Sequence, residues 1–182
     1  NGLVEIAKGS LYATNIRTLM KGRAGMPGSL EGIIVYNSFN RLGEIEKNTE
    51  AGIYGKLEKV DRLFEEEIAI EVAKKEEICT GPAQIRCCIG DEICYYDVEI
   101  LDVDLTEKEV NKGMIVRVTD PKLLEETGGI IQGMSGSPIV QNGKLIGAVT
   151  HVFVNHPEKG YGIFAETMLE FSGGNFAENQ TE

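Results

Sequence analysis

The residues most suited to chemistry lie in one glycine-rich stretch, Gly-Met-Ser-Gly-Ser-Pro at 133–138. A nucleophilic serine needs an exposed hydroxyl on a tight turn and two backbone N–H groups directed at the oxygen that becomes negative. Flanking glycines permit such a turn and let a substrate carbonyl come close. We therefore predict that the Ser135 hydroxyl attacks and that the N–H groups of Gly133 and Ser135 form the oxyanion hole. The alternative is a Gly/Ser-rich β-turn before a strand that starts at Pro138.

The cysteines are a second place for chemistry, because all four lie close together, at positions 79, 87, 88 and 94. Their spacing lacks the paired Cys-x-x-Cys or Cys/His pattern of zinc sites. Neighbours such as Cys87 and Cys88 also point to opposite faces of a strand. We therefore expect no metal and no other cofactor. A disulfide of Cys94 with Cys79 or Cys87, and buried free thiols, both stay open.

Composition excludes several classes of protein. The 182 residues include 18 Lys plus Arg against 29 Asp plus Glu, a formal net charge of −11. Nucleic acids and anionic membranes need a basic face, so neither partner is expected. No apolar run approaches the ~18 residues of a membrane helix, and the residues after Asn1 lack the pattern of a signal peptide.

Short strand-like runs separated by Gly, Asn and Asp predict an all-β protein, either a sandwich or a barrel. The sequence Asn142-Gly143 lies between two such runs and predicts a two-residue hairpin turn, because both central residues need positive φ. The predicted strands are 10–21, 32–36, 52–57, 67–73, 83–89, 92–103, 114–119, 138–141, 144–154 and 160–165.

Helix signals are few. Asp120 as N-cap, Pro121 at the first helical position and Gly128 as the C-terminal stop predict one short helix near 121–127. The charged stretch 59–67 is expected to be a turn or a short connection.

The elements that follow Ser135 resemble the C-terminal barrel of chymotrypsin-like serine peptidases, in which the nucleophile turn enters a hairpin. A closer resemblance is to the stage IV sporulation protein B serine peptidases of spore-forming Firmicutes, and it covers most of residues 1–172. The similar stretches are 118–122, 128–138, 147–155 and 160–164, together with 21–28, 42–49 and 52–55.

This resemblance implies a trypsin-like fold of two β-barrels. Residues 1–110 would form the N-terminal barrel, incomplete at its start, with the inter-barrel connection. Residues 111–172 would form the C-terminal barrel half with the nucleophile, and 173–182 a flexible tail. It also implies a serine endopeptidase that cleaves itself and a membrane-bound regulator. The protein would be secreted from the forespore into the space between the forespore and mother-cell membranes. There the cleavage would signal to a membrane-embedded protease that activates a late sigma factor.

The family's general base is a histidine in a Gly-His-Gly turn, N-terminal to everything in this sequence. The two histidines here, His151 and His156, both follow the serine. We therefore expect the base, with the family's PDZ domain and membrane anchor, to lie upstream of Asn1. Because serine without a base is a poor nucleophile, the chain as given is expected to be inactive.

The family's triad acid matches Asp120, 15 residues before Ser135. The alternative role of Asp120 is the helix N-cap. Glu44 and Glu46 are other carboxylates that could orient a histidine. Met134 stands where trypsin-like enzymes carry the aspartate that pairs with a new N-terminus, so activation by that ion pair is not expected.

His151 alternates with Leu145, Val149 and Phe153 on one strand face, which favours a histidine hydrogen-bonded inside the barrel. The resemblance offers a second role, in the pocket that receives the substrate side chain, and a substitute base is a third. His156 precedes a proline and is expected in a surface loop.

Two other classes of function stay open. The first is a non-catalytic β-barrel module that binds an extended peptide by strand addition. The second is an acidic structural domain without a ligand. If Ser135 is a nucleophile, the partners are a polypeptide substrate and the chain itself.

Overall fold

The computed structural model describes residues 8–58, 69–90 and 92–173. The predicted connection at 59–67, the first two residues of the predicted strand 67–73, and residues 174–182 of the predicted tail lie outside the described residues. Within them the all-β prediction is confirmed, and the architecture is consistent with a trypsin-like fold.

The described residues form eleven strands and two short helices. The strands are β1 (Gly9–Tyr12), β2 (Thr14–Met20), β3 (Ser29–Ile34), β4 (Arg41–Thr49), β5 (Gly52–Leu57), β6 (Gly81–Ile89), β7 (Glu92–Val103), β8 (Met114–Val118), β9 (Pro138–Gln141), β10 (Lys144–Phe153) and β11 (His156–Phe164). The helices are α1 (Pro121–Thr127) and α2 (Ala165–Ser172).

Six strands close a β-barrel in the order β10-β11-β8-β7-β6-β9. All neighbouring strands in it are antiparallel. The period-2 alternation of a strand directs every second side chain inward, so Ala83, Ile85, Cys87 and Ile89 of β6 are buried together. Aliphatic side chains from the other strands fill the rest of the interior.

The N-terminal strands form two smaller sheets, one with the order β1-β4-β5 and the other a β2-β3 hairpin. Among the described strands, the six-stranded sheet is the one that closes into a barrel, and the two N-terminal sheets stay open. It takes strands from both sides of the predicted boundary at residue 110, because β6 and β7 pair with β9 and β8. The barrel is therefore larger than the predicted half at 111–172. Strand pairing depends on contacts distant in sequence, which local alternation does not reveal.

Helix α1 is confirmed at 121–127. The Asp120 carboxylate accepts a hydrogen bond from the Leu123 N–H at 3.0 Å, Pro121 is the first helical residue, and the helix ends at Gly128. Helix α2 was not predicted from the sequence, because its N-cap residue, Phe164, has no side chain that can cap a helix and so mark its start. No helix in the described part of the chain has the length and apolar character needed to cross a bilayer.

The Asn-Gly turn between β9 and β10 is also confirmed, with φ of 52° at Asn142 and 79° at Gly143. The predicted strand 67–73 is not found in its described part, where Val72 forms only an isolated bridge to Leu145. Strand β4 was missed, because its largely charged and polar sequence has too few apolar residues to show an alternation.

Two ionisable side chains lie inward from the β6-β7 hairpin. Burial, followed by the neighbouring thiols of Cys88 and Cys94, raises the pKa of Cys87 from 9.0 to about 12. Burial likewise raises the pKa of Tyr96 to about 12. Both groups therefore hold their protons in the folded protein at pH values where the unfolded chain has lost them.

We predict that the free energy of unfolding falls as the pH rises from about 9 to about 12, because the unfolded state then binds fewer protons than the folded state. In Cys87→Ala the fall becomes shallower, while Tyr96 retains part of it. Urea unfolding at several pH values measures both. Cys79→Ala, at an exposed thiol, is the control, and identical pH profiles for all three proteins would contradict the prediction.

Candidate active site

The Ser135 loop, residues 130–137, connects α1 to β9. The two isoleucines at its start are buried, whereas Ser135 is exposed. Gly133 and Gly136 flank it with φ of 104° and 91°, a region that favours glycine. A Cβ on Gly133 would also lie 2.9 Å from the Cβ of Leu30. The loop therefore needs its glycines both for conformation and for space.

The Ser135 loop is fixed against strand β10. The Gly136 N–H donates to the Val149 carbonyl at 2.8 Å, and the Val149 N–H donates to the Ser137 carbonyl at 3.0 Å. The Ser135 hydroxyl donates to the Thr150 carbonyl at 2.7 Å. The hydroxyl is thus presented at the surface, held by a backbone carbonyl rather than by a basic side chain.

Two N–H groups of the Ser135 loop donate hydrogen bonds to carbonyls within the loop itself. The Met134 N–H donates to the Ile131 carbonyl at 3.1 Å, and the Ser137 N–H donates to the Met134 carbonyl at 3.0 Å. Within the part of the chain that the structure describes, the N–H groups of Gly133 and Ser135 have no hydrogen-bond acceptor. These are the two predicted oxyanion donors, and their role stays a prediction.

Met134 anchors the loop from beneath. Its side chain is buried in the barrel core, and its sulfur accepts a weak hydrogen bond from the Ile131 N–H at 3.4 Å. Apolar packing therefore occupies the position at which an ion pair would hold the loop in trypsin-like enzymes.

A second support comes from the N-terminal half. Residues 22–30, here called the strap, lie against the Ser135 loop, and Ser29 forms a parallel bridge with Gln132. The Gln132 N–H donates to the Gly28 carbonyl at 2.9 Å, and the Leu30 N–H donates to the Gln132 carbonyl at 2.8 Å. The strap therefore adds a short strand to the residues that immediately precede the two predicted oxyanion donors.

The strap has two further attachments. The Gly22 N–H donates to the carbonyl of Thr127, the last residue of α1, at 2.8 Å, and the Gly25 N–H donates to the Val154 carbonyl at 2.9 Å. A Cβ on Gly28 would lie 2.2 Å from the Met20 carbonyl oxygen. Backbone hydrogen bonds thus join the strap to the Ser135 loop, to helix α1 and to the residue that follows β10.

Asp120 caps helix α1, which is the alternative role that the sequence left open. Its Oδ1 accepts from the Leu123 N–H at 3.0 Å, and its Oδ2 accepts from the Asp97 N–H at 3.3 Å. The capping role is confirmed, whereas the role of triad acid stays a prediction. The other candidate acids lie on β4 and face surface cations, Glu44 with Arg41 and Glu46 with Lys56.

His151 is exposed, so the expectation of a histidine inside the barrel is wrong. The pairing of β10 with β11 shifts register between Val149 and Val152, and this irregularity interrupts the alternation on which the expectation depended. His151 directly follows Thr150, whose carbonyl accepts from Ser135. His156 is at the surface as expected, but it begins strand β11 rather than lying in a loop. Its Nδ1 lies 3.3 Å from the Glu158 carboxylate.

None of the four cysteines, all of them within the described residues, forms a disulfide in this structure. Cys87 and Cys94 are direct partners across β6 and β7, whereas the Cys79 N–H donates to the Gln141 side chain at 3.2 Å. Among residues 8–58, 69–90 and 92–173, no three His, Cys, Asp or Glu side chains cluster closely enough to hold a metal ion.

A cleft of about 320 Å³ borders the Ser135 loop. Its walls come from the loop on both sides of Ser135, from the β2-β3 hairpin and from the β6-β7 hairpin. An exposed serine hydroxyl, two N–H groups and an adjoining cleft together suit the attack of an alcohol on a carbonyl group.

A family model described as SpoIVB peptidase S55 matches residues 1–169. The chain belongs to this SpoIVB peptidase family. The match confirms the sporulation-peptidase resemblance and identifies a serine peptidase domain. No match was found among curated proteins or among solved structures.

In this SpoIVB peptidase, the strap is the site component that sequence reasoning missed. In the sequence, residues 21–28 belong to the stretches similar to the family, but no contact with the Ser135 loop was predicted for them. Their signal was three glycines at intervals of three, at positions 22, 25 and 28, followed by apolar Leu30. Glycine serves where the backbone needs positive φ, as at Gly25, or where another group approaches closely, as at Gly22 and Gly28.

We predict that Gly28→Ala loosens the strap, because the new Cβ would meet the Met20 carbonyl oxygen at 2.2 Å and Ile131 at 2.7 Å. The expected loss in the free energy of unfolding is about 1–3 kcal/mol. Hydrogen exchange of the Gln132 N–H, which donates to the Gly28 carbonyl, should become faster. Met26→Ala, which shortens an exposed side chain of the strap, is the control. Unchanged protection of Gln132 in Gly28→Ala would contradict the role of the strap.

We predict that Asp120→Ala lowers the free energy of unfolding by about 1 kcal/mol, because the cap of α1 is lost. Asp120→Asn should lie between the wild type and the Ala variant, since asparagine still caps the Leu123 N–H but its NH₂ group cannot accept from the Asp97 N–H. Urea unfolding measures both. Equal stability of the Ala variant and the wild type would mean that the cap contributes nothing.

Proposed function

We propose that this chain carries the nucleophile of a serine endopeptidase. The proposal is supported above all by the exposed Ser135 hydroxyl, which lies between two glycines with positive φ. Beside it are two N–H groups without an acceptor in the described residues, and the chain is a member of a peptidase family. Asp120 and Gly133 keep the roles of acid and oxyanion donor in this proposal.

In the proposed reaction, Ser135 Oγ forms a bond to the scissile carbonyl carbon while the carbonyl π electrons move onto oxygen. The N–H groups of Gly133 and Ser135 would bind that oxygen, and such a donor contributes about 10²–10³ in rate. The hydroxyl proton must pass to a base, so the hydroxyl must turn away from Thr150, to which it now donates.

The base is proposed to be the family's upstream histidine, since the contacts found in the described residues join neither His151 nor His156 to Ser135. Asp120 uses one bond on each carboxylate oxygen for backbone N–H groups. A carboxylate has about four acceptor sites, so it retains capacity to orient a histidine. His151 is proposed to contact the substrate side chain, because it is exposed next to Thr150.

The biological substrates follow from the family resemblance. We propose self-cleavage, and cleavage of a membrane-bound regulator of the protease that activates a late sigma factor. The site of action is the space between the forespore and mother-cell membranes. A polypeptide substrate is the coarser statement that family membership supports.

A non-catalytic peptide-binding module is the second candidate. It is favoured by one observation: the Ser135 hydroxyl donates to a backbone carbonyl instead of to a base. In that case the cleft would bind a peptide without cleaving it.

A fluorophosphonate probe distinguishes the two functions. We predict that the protein extended upstream of Asn1 through the proposed histidine is labelled at Ser135, and that Ser135→Ala abolishes labelling and peptide cleavage while leaving the fold intact. Mutation of the upstream histidine should lower the labelling rate by orders of magnitude, because base and nucleophile act as a unit.

Ser10→Ala, at an exposed serine of β1, is the matched control and should be labelled like the wild type. Peptide binding without labelling of Ser135 would favour the module. Full labelling after removal of the upstream histidine would contradict the assignment of the base.

A further inference from the structure

The cleft beside the Ser135 loop has one unusual feature. Its walls are apolar, with Ile16 and Leu30 on one side and Cys88 and Ile93 on the other. Of the residues that the structure describes, Arg86 of β6 is the one charged residue that lines it. A single cation in an apolar cleft, on a chain with a formal net charge of −11, needs an explanation beyond general surface charge.

Arg86 is held in place without a carboxylate. It pairs with Tyr95 across the β6-β7 hairpin, and its guanidinium carbon lies 5.8 Å from the centre of the Tyr95 ring. Within residues 8–58, 69–90 and 92–173 it forms no ion pair, although Arg41 and Arg117 each pair with a glutamate there. This cation–π contact does not use the N–H donors of the guanidinium, which can therefore bind another partner.

The position of Arg86 relates it to the reaction site. Gly133 and Met134 line the cleft before Ser135, and Gly136 and Ser137 line it after. Neither Thr150 nor His151 takes part in the lining. A peptide in the cleft would therefore run beside the Ser135 loop on the side formed by β6, separate from the contacts that β10 offers.

We propose that this cleft is a specificity site for an acidic residue of the polypeptide substrate, whose carboxylate binds Arg86. The aliphatic walls would hold the stem of that side chain and an apolar neighbour, while the planar guanidinium would donate two hydrogen bonds to the carboxylate. The inference rests on the proposed function in taking a peptide as the ligand. It adds the residue that selects among peptides.

The experiment measures binding, so it does not depend on turnover. Two sets of short fluorescein-labelled Ala/Leu peptides carry either one Glu or one Gln at each position in turn. Fluorescence anisotropy gives their dissociation constants for the full chain with Ser135→Ala, which prevents cleavage. We expect the best Glu peptide to bind about tenfold more tightly than its Gln counterpart, and this ratio to fall as salt is added.

Arg86→Gln should bring the ratio close to one without weakening the Gln peptides. Arg17→Gln, which removes the same charge at an exposed position of β2 outside the cleft lining, should keep it. Equal binding of the Glu and Gln peptides, or a Glu preference that survives Arg86→Gln, would overturn the proposal.

The fluorophosphonate experiment separates this inference from the proposed function. Glu selectivity through Arg86 without labelling of Ser135 would support the acidic-residue site and contradict the peptidase. Labelling of Ser135 without Glu selectivity would contradict only the role of Arg86.

Discussion

Gly28 and Gln132 are hydrogen-bonded to one another, although 104 positions separate them in the chain. Around this contact Gly28 and Gly133 have no room for a Cβ, because a Cβ on Gly28 would meet the Met20 carbonyl oxygen and one on Gly133 would meet the Leu30 side chain. A single hydrogen bond of this kind contributes only about 1 kcal/mol. The Ser135 loop has its shape because the strap, strand β10 and the buried Met134 side chain hold it from three directions at once.

None of these three supports is an ion pair. Backbone hydrogen bonds hold the loop to Val149 and Gly28, and apolar packing holds Met134. Trypsin-like enzymes use a charged aspartate where this chain has methionine. A loop fixed by amides and hydrocarbon has no titrating side chain of its own near neutral pH. Among the described residues that line the adjoining cleft, Arg86 is the charged one.

The features that the sequence predicted correctly are those that depend on residues close together in the chain. The cap at Asp120, the turn at Asn142 and Gly143, and the exposed Ser135 between two glycines each depend on a few neighbouring residues. The strap and the barrel membership of β6 and β7 depend on strand pairing that is distant in sequence. The outward position of His151 depends on the register of β10 against β11. The apolar alternation around His151 pointed inward, but a register shift in β10, invisible without its partner strand, reversed the outcome.

The length of chain between the strap and its contacts has a kinetic consequence. The barrel contains hairpins, such as β6-β7 and β9-β10, whose strands are neighbours in sequence and close small loops. The strap can dock only after a far larger loop has closed, at a higher entropic cost. During folding, the barrel can therefore form before the strap docks and fixes the Ser135 loop. By the same reasoning, we expect partial unfolding to release the strap, and with it the shape of the Ser135 loop, before the barrel opens.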